Sequence, residues 1–298
     1  MAVTIPFVRK FDFAYGRSDI VSPGIRRVIA DNPGPFTFTG TGTYIVGHGE
    51  VAVIDPGPAL DAHLAALIQA VAGERVVAIL VTHDHADHSP LAARLSRLTG
   101  APVYGCARRS GAATPEGGEE GDDPAFAPDI DLCGGGGEVK GRGWTLEAIA
   151  TPGHTSNHLC YGFAQEEALF TGDHVMGWST SVVIPPDGSM AAYLDSLRAI
   201  RARGFQTLWP THGPPVTDPP PFLDAYIAHR LEREAQILAA VRDGVDRIPA
   251  MVEKLYVGLD PRLKPAAAQS VYSHLIKLAA EGRVRSDPAP QLGSAYRP

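Results

Sequence analysis

Thr82-His83-Asp84-His85-Ala86-Asp87-His88 places three imidazoles and two carboxylates within seven residues. Besides thiolate, these are the side chains that zinc accepts as ligands. Three further short motifs follow apolar runs: Pro152-Gly153-His154, Gly172-Asp173 and Thr211-His212-Gly213. A single histidine after a strand is more often a core or supporting residue than a ligand, so the weight lies on the series. Three neutral imidazoles leave a zinc ion one open position for water. A second ion roughly 3.5–4 Å away lets one hydroxide bridge both, and bound zinc lowers the pKa of that water towards about 7. Such chemistry needs no nucleophilic serine or cysteine, and no Gly-x-Ser-x-Gly motif is present.

These side chains need a rigid scaffold, and the local pattern predicts one. Residues 76–81 form a continuous apolar, β-branched-rich run, read as a buried strand. Ser89-Pro90, followed by Leu91, Leu95 and Leu98, marks a helix start, so the histidine cluster sits on a strand-to-helix loop. Upstream, residues 43–46 and 51–54 read as two strands around a Gly-containing hairpin, closed by Asp55-Pro56-Gly57. Helical spacing follows over 59–72. Strands are expected at 144–149, 158–163, 168–171 and 207–210, with a helix over 193–201. Residues 1–35 read as edge strands and turns. The Gly-, Pro- and acid-rich stretch 108–143 reads as a flexible surface insertion, with a lid as the alternative and no chemistry placed on it.

The full series, His-x-His-x-Asp-His, Pro-Gly-His, Gly-Asp and Thr-His-Gly in that order, resembles the metallo-β-lactamase superfamily. The resemblance implies an α/β fold, an αββα sandwich with its site at the sheet edge. It assigns His83, His85 and His154 to one metal, Asp87, His88 and His212 to a second, and Asp173 to a bridge between two Zn2+ ions. Asp87 and Asp173 are thereby the catalytic carboxylates, with Asp87 also orienting the hydroxide. Asp55 matches a supporting acidic residue of the superfamily, the alternative being a plain strand-end turn. Asp84 falls at a variable position. His158 and His174 are supporting candidates, whereas His48, His63, His229 and His274 read as ordinary surface or core residues.

Residues 1–220 are expected to form the catalytic domain and 221–298 a winged-helix-like domain, with Asp218-Pro219-Pro220-Pro221 as a stiff linker. Helices are expected at 223–241, 248–257 and 266–280, with a short hairpin beginning near 282. The run from Tyr226 to Glu234, together with Ser273-His274-Leu275, Lys277-Leu278 and Glu281-Gly282, resembles the β-lactamase-like protein 2 family. Departures lie at 108–143, at Gly42, and at Ser156 and Asn157, where the animal members carry acidic residues. The resemblance implies a binuclear zinc hydrolase leaning to single-stranded RNA. A small-molecule thioesterase or lactonase is the alternative, and a winged-helix nucleic-acid binder with structural metal is a third reading.

Composition bears on these choices. The 298 residues carry a net charge of −7, with 44% hydrophobic and 20% charged residues, enough for a sizeable core. Residues 221–298 hold 11 Lys and Arg against 9 Asp and Glu, and residues 1–220 hold 15 against 24. The acidic catalytic part disfavours RNA, which prefers a basic groove. Only His274 and Lys277 stand out as cationic on the third C-terminal helix, which argues against stable duplex binding. No apolar run suits a signal peptide or a membrane span. Cys106, Cys133 and Cys160 form no CxxC and read as free thiols of a cytoplasmic protein.

Overall fold

The computed structural model describes residues 3–107, 121–287 and 289–298. Period-2 alternation along the central strands sets the layers. On β4 (Glu50–Ile54), Ala52 and Ile54 point into the space between two sheets, while Val51 and Val53 point the other way, under helices. A strand buried on both faces shows a continuous apolar run, so 76–81 reads as it does.

The first sheet holds seven strands in sequence order. These are β1 (Ser18–Ser22), β2 (Ile25–Ile29), β3 (Gly42–His48), β4, β5 (Arg75–Leu80), β6 (Val103–Gly105) and β7 (Ile130–Asp131). It is antiparallel through β4 and parallel from β4 onward. The second sheet holds β8 (Glu138–Gly141), β9 (Trp144–Ala150), β10 (Leu159–Phe163), β11 (Ala168–Gly172) and β12 (Thr207–Pro210), ordered β12-β11-β10-β9-β8. Between the sheets pack Tyr44, Ile54, Leu80, Leu146, Tyr161, Phe163 and Phe170. Helices α1 (Asp61–Ala70) and α2 (Ala92–Thr99) cover the first sheet, α1 through Leu64 and Leu67 and α2 through Leu95. Helix α3 (Met190–Arg203) covers the second through Tyr193, Leu194, Leu197 and Ile200. The result is the αββα sandwich.

Helix α4 (Pro219–Arg242) does not follow a linker. Pro219, Pro220 and Pro221 form its first turn, where the missing N–H groups would have had no intrahelical acceptor. Phe222, Leu223 and Tyr226 belong to the core over the second sheet, and Ile237, Leu238 and Val241 belong to the C-terminal core. The expected boundary at 220/221 therefore meets the head of a continuous helix. Helices α5 (Ile248–Leu255) and α6 (Lys264–Ala280) and the hairpin of β13 (Arg285–Asp287) and β14 (Ala295–Arg297) complete a winged-helix unit.

The cysteine reading is corrected. Cys106 and Cys133 are joined by a disulfide with Cα atoms 4.7 Å apart, and Cys160 is the free cysteine, buried. Strand β6 carries one sulfur to the segment that precedes β8, a proximity through space that spacing does not reveal. The inference to a reducing compartment loses its premise. Among the described residues, no helix is long and apolar enough to cross a membrane.

The disulfide closes a loop with a sequence separation of 27. Loop-closure entropy assigns such a link roughly 3 kcal/mol. Cys133→Ser should lower the stability in urea by up to that amount, and an unchanged unfolding midpoint would show that the link does not constrain the chain.

Candidate metal centre

Every candidate ligand lies just beyond the C-terminal end of a strand. The loop after β5 carries His83, His85, Asp87 and His88; the loop after β9 carries His154; Asp173 follows β11 and His212 follows β12. Hydrogen bonds across this edge lock the two sheets together: Leu159 N donates to Thr82 O (2.8 Å), Gly42 N to Thr211 O (2.8 Å), and the Tyr44 hydroxyl to Pro210 O (2.7 Å). The structure brings all seven candidates together, each no more than 6% exposed.

They fall into overlapping groups. His83, His85 and His154 have ligand atoms within 4.8 Å of one another, as do His83, His88 and Asp173, and Asp87, His88 and His212. Asp173 spans the groups: Oδ1 lies 3.5 Å from His88 Nε2 and 3.3 Å from His212 Nε2, while Oδ2 lies 3.9 Å from His154 Nε2. Asp87 Oδ2 is 3.1 Å from His212 Nε2 and 3.4 Å from His88 Nε2.

The outer nitrogens explain why the inner ones converge. His154 Nδ1 donates to Val182 O (2.7 Å), His212 Nδ1 to Gly40 O (3.3 Å) and His88 Nδ1 to Asp55 Oδ2 (3.0 Å). The Thr82 hydroxyl gives its proton to Asp55 Oδ2 (2.9 Å) and so accepts from His83 Nδ1 (3.0 Å). These partners assign the proton to Nδ1 and turn Nε2 inward. His85 is reversed: its Nδ1 lies 3.3 Å from His154 Nε2, and its Nε2 faces Asp122 Oδ1 at 3.8 Å. His83 Nε2 is buried with no hydrogen-bond partner. A divalent cation satisfies such a nitrogen, and imidazole with carboxylate is a borderline-to-hard donor set suited to zinc, iron or manganese. The residues fit a metal.

The supporting residues divide. Asp55, fully buried, accepts from Thr82 N (2.8 Å), the Thr82 and Thr211 hydroxyls (2.9 and 2.8 Å) and His88. His158 bonds the Thr151 hydroxyl through Nδ1 (2.8 Å) and accepts from Asp173 N through Nε2 (3.2 Å), so it holds Asp173 in place. Gly172 has φ +50°, and a Cβ there would meet His158 Nε2 at 2.6 Å, which leaves room for no other residue before Asp173. His174 packs against Tyr193, and His63 bonds the Thr43 hydroxyl at 2.8 Å. Burial lowers His174 to about 3 and His63 to about 4. Sequence reasoning does not find Asp122. Its segment has no periodicity, and only docking reveals it: Asp123 N donates to Asp84 O (2.7 Å) and Ser89 Oγ to Asp123 Oδ2 (2.7 Å). Of 108–143, residues 108–120 lie outside the described residues.

Without metal, the electrostatics separate. Burial lowers His83 well below the imidazole range and His85 to about 3. Burial also opposes charge on His88 and His212, but Asp173 and Asp87 outweigh it, so His88 is held well above 6.5 and His212 up to about 10. Metal at these nitrogens must displace those protons.

Both parts of the chain match known families. A family model described as the metallo-beta-lactamase superfamily matches residues 37–212, and one described as the beta-lactamase associated winged helix domain matches 248–291. The chain is 30% identical to a beta-lactamase-like protein 2 homolog from Caenorhabditis elegans, over 89% of this chain and 88% of that one. It is 35% identical to an atrochrysone carboxyl ACP thioesterase from Aspergillus chevalieri, over 75% and 67%. A metallo-beta-lactamase family protein from Thermus thermophilus superposes with a TM-score of 0.75 at 23% identity, covering 93% of this chain and 99% of that one.

Two outcomes are expected. Because His88 and His212 titrate higher in the metal-free fold than in the unfolded chain, their stabilising contribution is complete below pH 6.5 and lost as pH rises towards 10. Thermal stability of the metal-free protein should therefore fall between pH 7 and 10, and metal loading should release on the order of one to two protons, read by calorimetry in buffers of different ionisation enthalpy. Asp55→Ala should weaken metal affinity about 10- to 100-fold with all seven candidate ligands intact. Wild-type affinity in a chelator competition would remove Asp55 from the site.

Proposed function

The chain belongs to the metallo-β-lactamase superfamily, and on that footing we propose that this hydrolase cleaves thioesters of a small acyl substrate, using two zinc ions. The observation that carries the metal assignment is Asp173, whose two oxygens face different histidine groups. His83, His85 and His154 would hold one ion and Asp87, His88 and His212 the other, with Asp173 shared. When bound, such ions supply an activated water at neutral pH and polarise the scissile carbonyl. Asp87, beside His212 and His88, would also orient that water. Asp55 and His158 keep His88 and Asp173 from turning away.

Three features favour a thioester. The Aspergillus relative is named for acyl-carrier-protein thioesters. Residues 1–220 are net acidic. The lysines of α6 are both paired with protein carboxylates, Lys277 Nζ 2.9 Å from Glu234 Oε2 and Lys264 Nζ 2.5 Å from Glu253 Oε1, and His274 is buried with Nδ1 3.7 Å from Glu234 Oε2. Single-stranded RNA is the second reading, favoured by the near full-length likeness to the C. elegans relative.

Zinc-loaded protein is offered an acyl thioester, a lactone and a labelled single-stranded RNA. Thioester turnover should dominate, and Asp173→Ala should lower kcat by at least about 100-fold while losing most of the metal. RNA cleavage with no thioester turnover would replace this reading by the second.

A further inference from the structure

A cleft of about 540 Å³ lies between the sandwich and the C-terminal unit. One wall is the segment Met176–Val182 with Phe38; the other comes from α4, the end of α5 and the start of α6. The cleft adjoins the metal centre. Val182 lines both this cleft and the smaller cavity walled by His85, Asp122 and His154, and its carbonyl orients the His154 ring. Its size lies in the range that small-molecule sites occupy.

Its charge is opposite to that of the chain. The protein carries 33 acidic against 26 basic residues, yet Arg9, Arg230 and Arg233 line the cleft and, among the described residues, no Asp or Glu does. Each arginine is placed by the fold. The N-terminal segment is pinned by Val8 N to Gly177 O (2.9 Å), which brings exposed Arg9 alongside. Arg233 lies 4.2 Å over the Tyr256 ring and donates through Nη1 to Leu255 O (3.1 Å), and its other donors have no hydrogen-bond acceptor among the described residues. Arg230 donates to Ser181 O and lies 5.3 Å over the Tyr193 ring, and its Nε is buried with no hydrogen-bond partner. None of the three has an acidic partner among the described residues. The remaining lining is aromatic and aliphatic, with Phe38 stacked on Trp178 at 4.6 Å. Gly213, next to His212, admits that indole: a Cβ there would meet Trp178 at 2.8 Å.

A cleft with an apolar wall, guanidinium groups and, among the described residues, no compensating carboxylate suits a ligand that has an apolar arm and bears a phosphate. We propose that this cleft binds the phosphorylated thiol arm of a thioester substrate and so delivers the thioester carbonyl to the metal centre. The proposal rests on the thioester reading above, and it makes the C-terminal unit the wall that selects the carrier half of the substrate.

Binding separates the two ideas, because it needs no turnover. Zinc-loaded protein is titrated with 4′-phosphopantetheine, with pantetheine, and with coenzyme A. The phosphorylated arm should bind at least tenfold more tightly than pantetheine. Arg233→Ala and, separately, the exposed Arg9→Ala should each cut that preference by threefold or more, and Arg233→Lys should restore part of it. If coenzyme A binds more tightly than 4′-phosphopantetheine, the source is the nucleotide-linked arm; if more weakly, the arm of a carrier protein. Equal binding of the phosphorylated and unphosphorylated arms would overturn the proposal, as would an arginine-dependent affinity for a single-stranded oligonucleotide without affinity for 4′-phosphopantetheine. Absence of any thioester turnover would instead sink the thioester reading and leave the binding result to be judged alone.

Discussion

The buried carboxylate of Asp55 is the contact on which the site depends. It ends β4 in the first sheet with φ 49°, a left-handed conformation that Asp tolerates better than branched residues. From there it takes hydrogen bonds from Thr82 and His88, on the loop after β5, and from Thr211, on the loop after β12 of the other sheet. One side chain thereby fixes the ring orientation of His88, fixes that of His83 through Thr82, and sets the separation of the two sheet edges. In a water-excluded site such hydrogen bonds are costly to break, because each leaves a buried donor without a partner. The ligand loops are irregular, but they cannot move independently.

The strands and the ligand series are legible in the sequence because both are local. Residues 76–81 run apolar without interruption because β5 is covered on both faces, and the spacing of Leu64, Leu67 and Val71 follows the face that α1 buries, whereas Leu60 is exposed. Each ligand follows directly on a strand, so the motif order already carries the topology. Asp122 and the Cys106–Cys133 link are not legible: both depend on where a long segment of irregular composition docks. The prolines at 219–221 mislead because the same residues that stiffen a linker also begin a helix, and only the α4 core contacts of Phe222 and Leu223 decide between them.

The departures at Ser156 and Asn157 now have a physical content. Ser156 donates from both its N (3.1 Å) and Oγ (2.5 Å) to Asp187, and Asn157 Nδ2 donates to Cys106 O (3.0 Å). An acidic residue at 156 would face the Asp187 carboxylate, and one at 157 would have no proton for the Cys106 carbonyl. This chain uses the two positions to fasten the His154 loop to its neighbours, not to add charge at the mouth of the site.

The cations of the C-terminal unit and of α4 are unevenly compensated. Lys277, His274 and Arg283 converge on Glu234, and their contacts hold its carboxyl down to about 2 against the effect of burial. Lys277 is thereby spent on α4, and Lys264, the other lysine of α6, pairs with Glu253 of α5 at 2.5 Å. Arg230, one turn before Glu234 on the same face of α4, and Arg233, its immediate neighbour, have no such acidic partner among the described residues and line the cleft. The helix that joins the two units thus carries a carboxylate whose charge is neutralised beside guanidinium groups whose charge is not. That asymmetry has no role in a module that reads nucleic acid at a distance from the metal centre. It has one in the wall of a cleft that shares Val182 with the cavity beside His85 and His154.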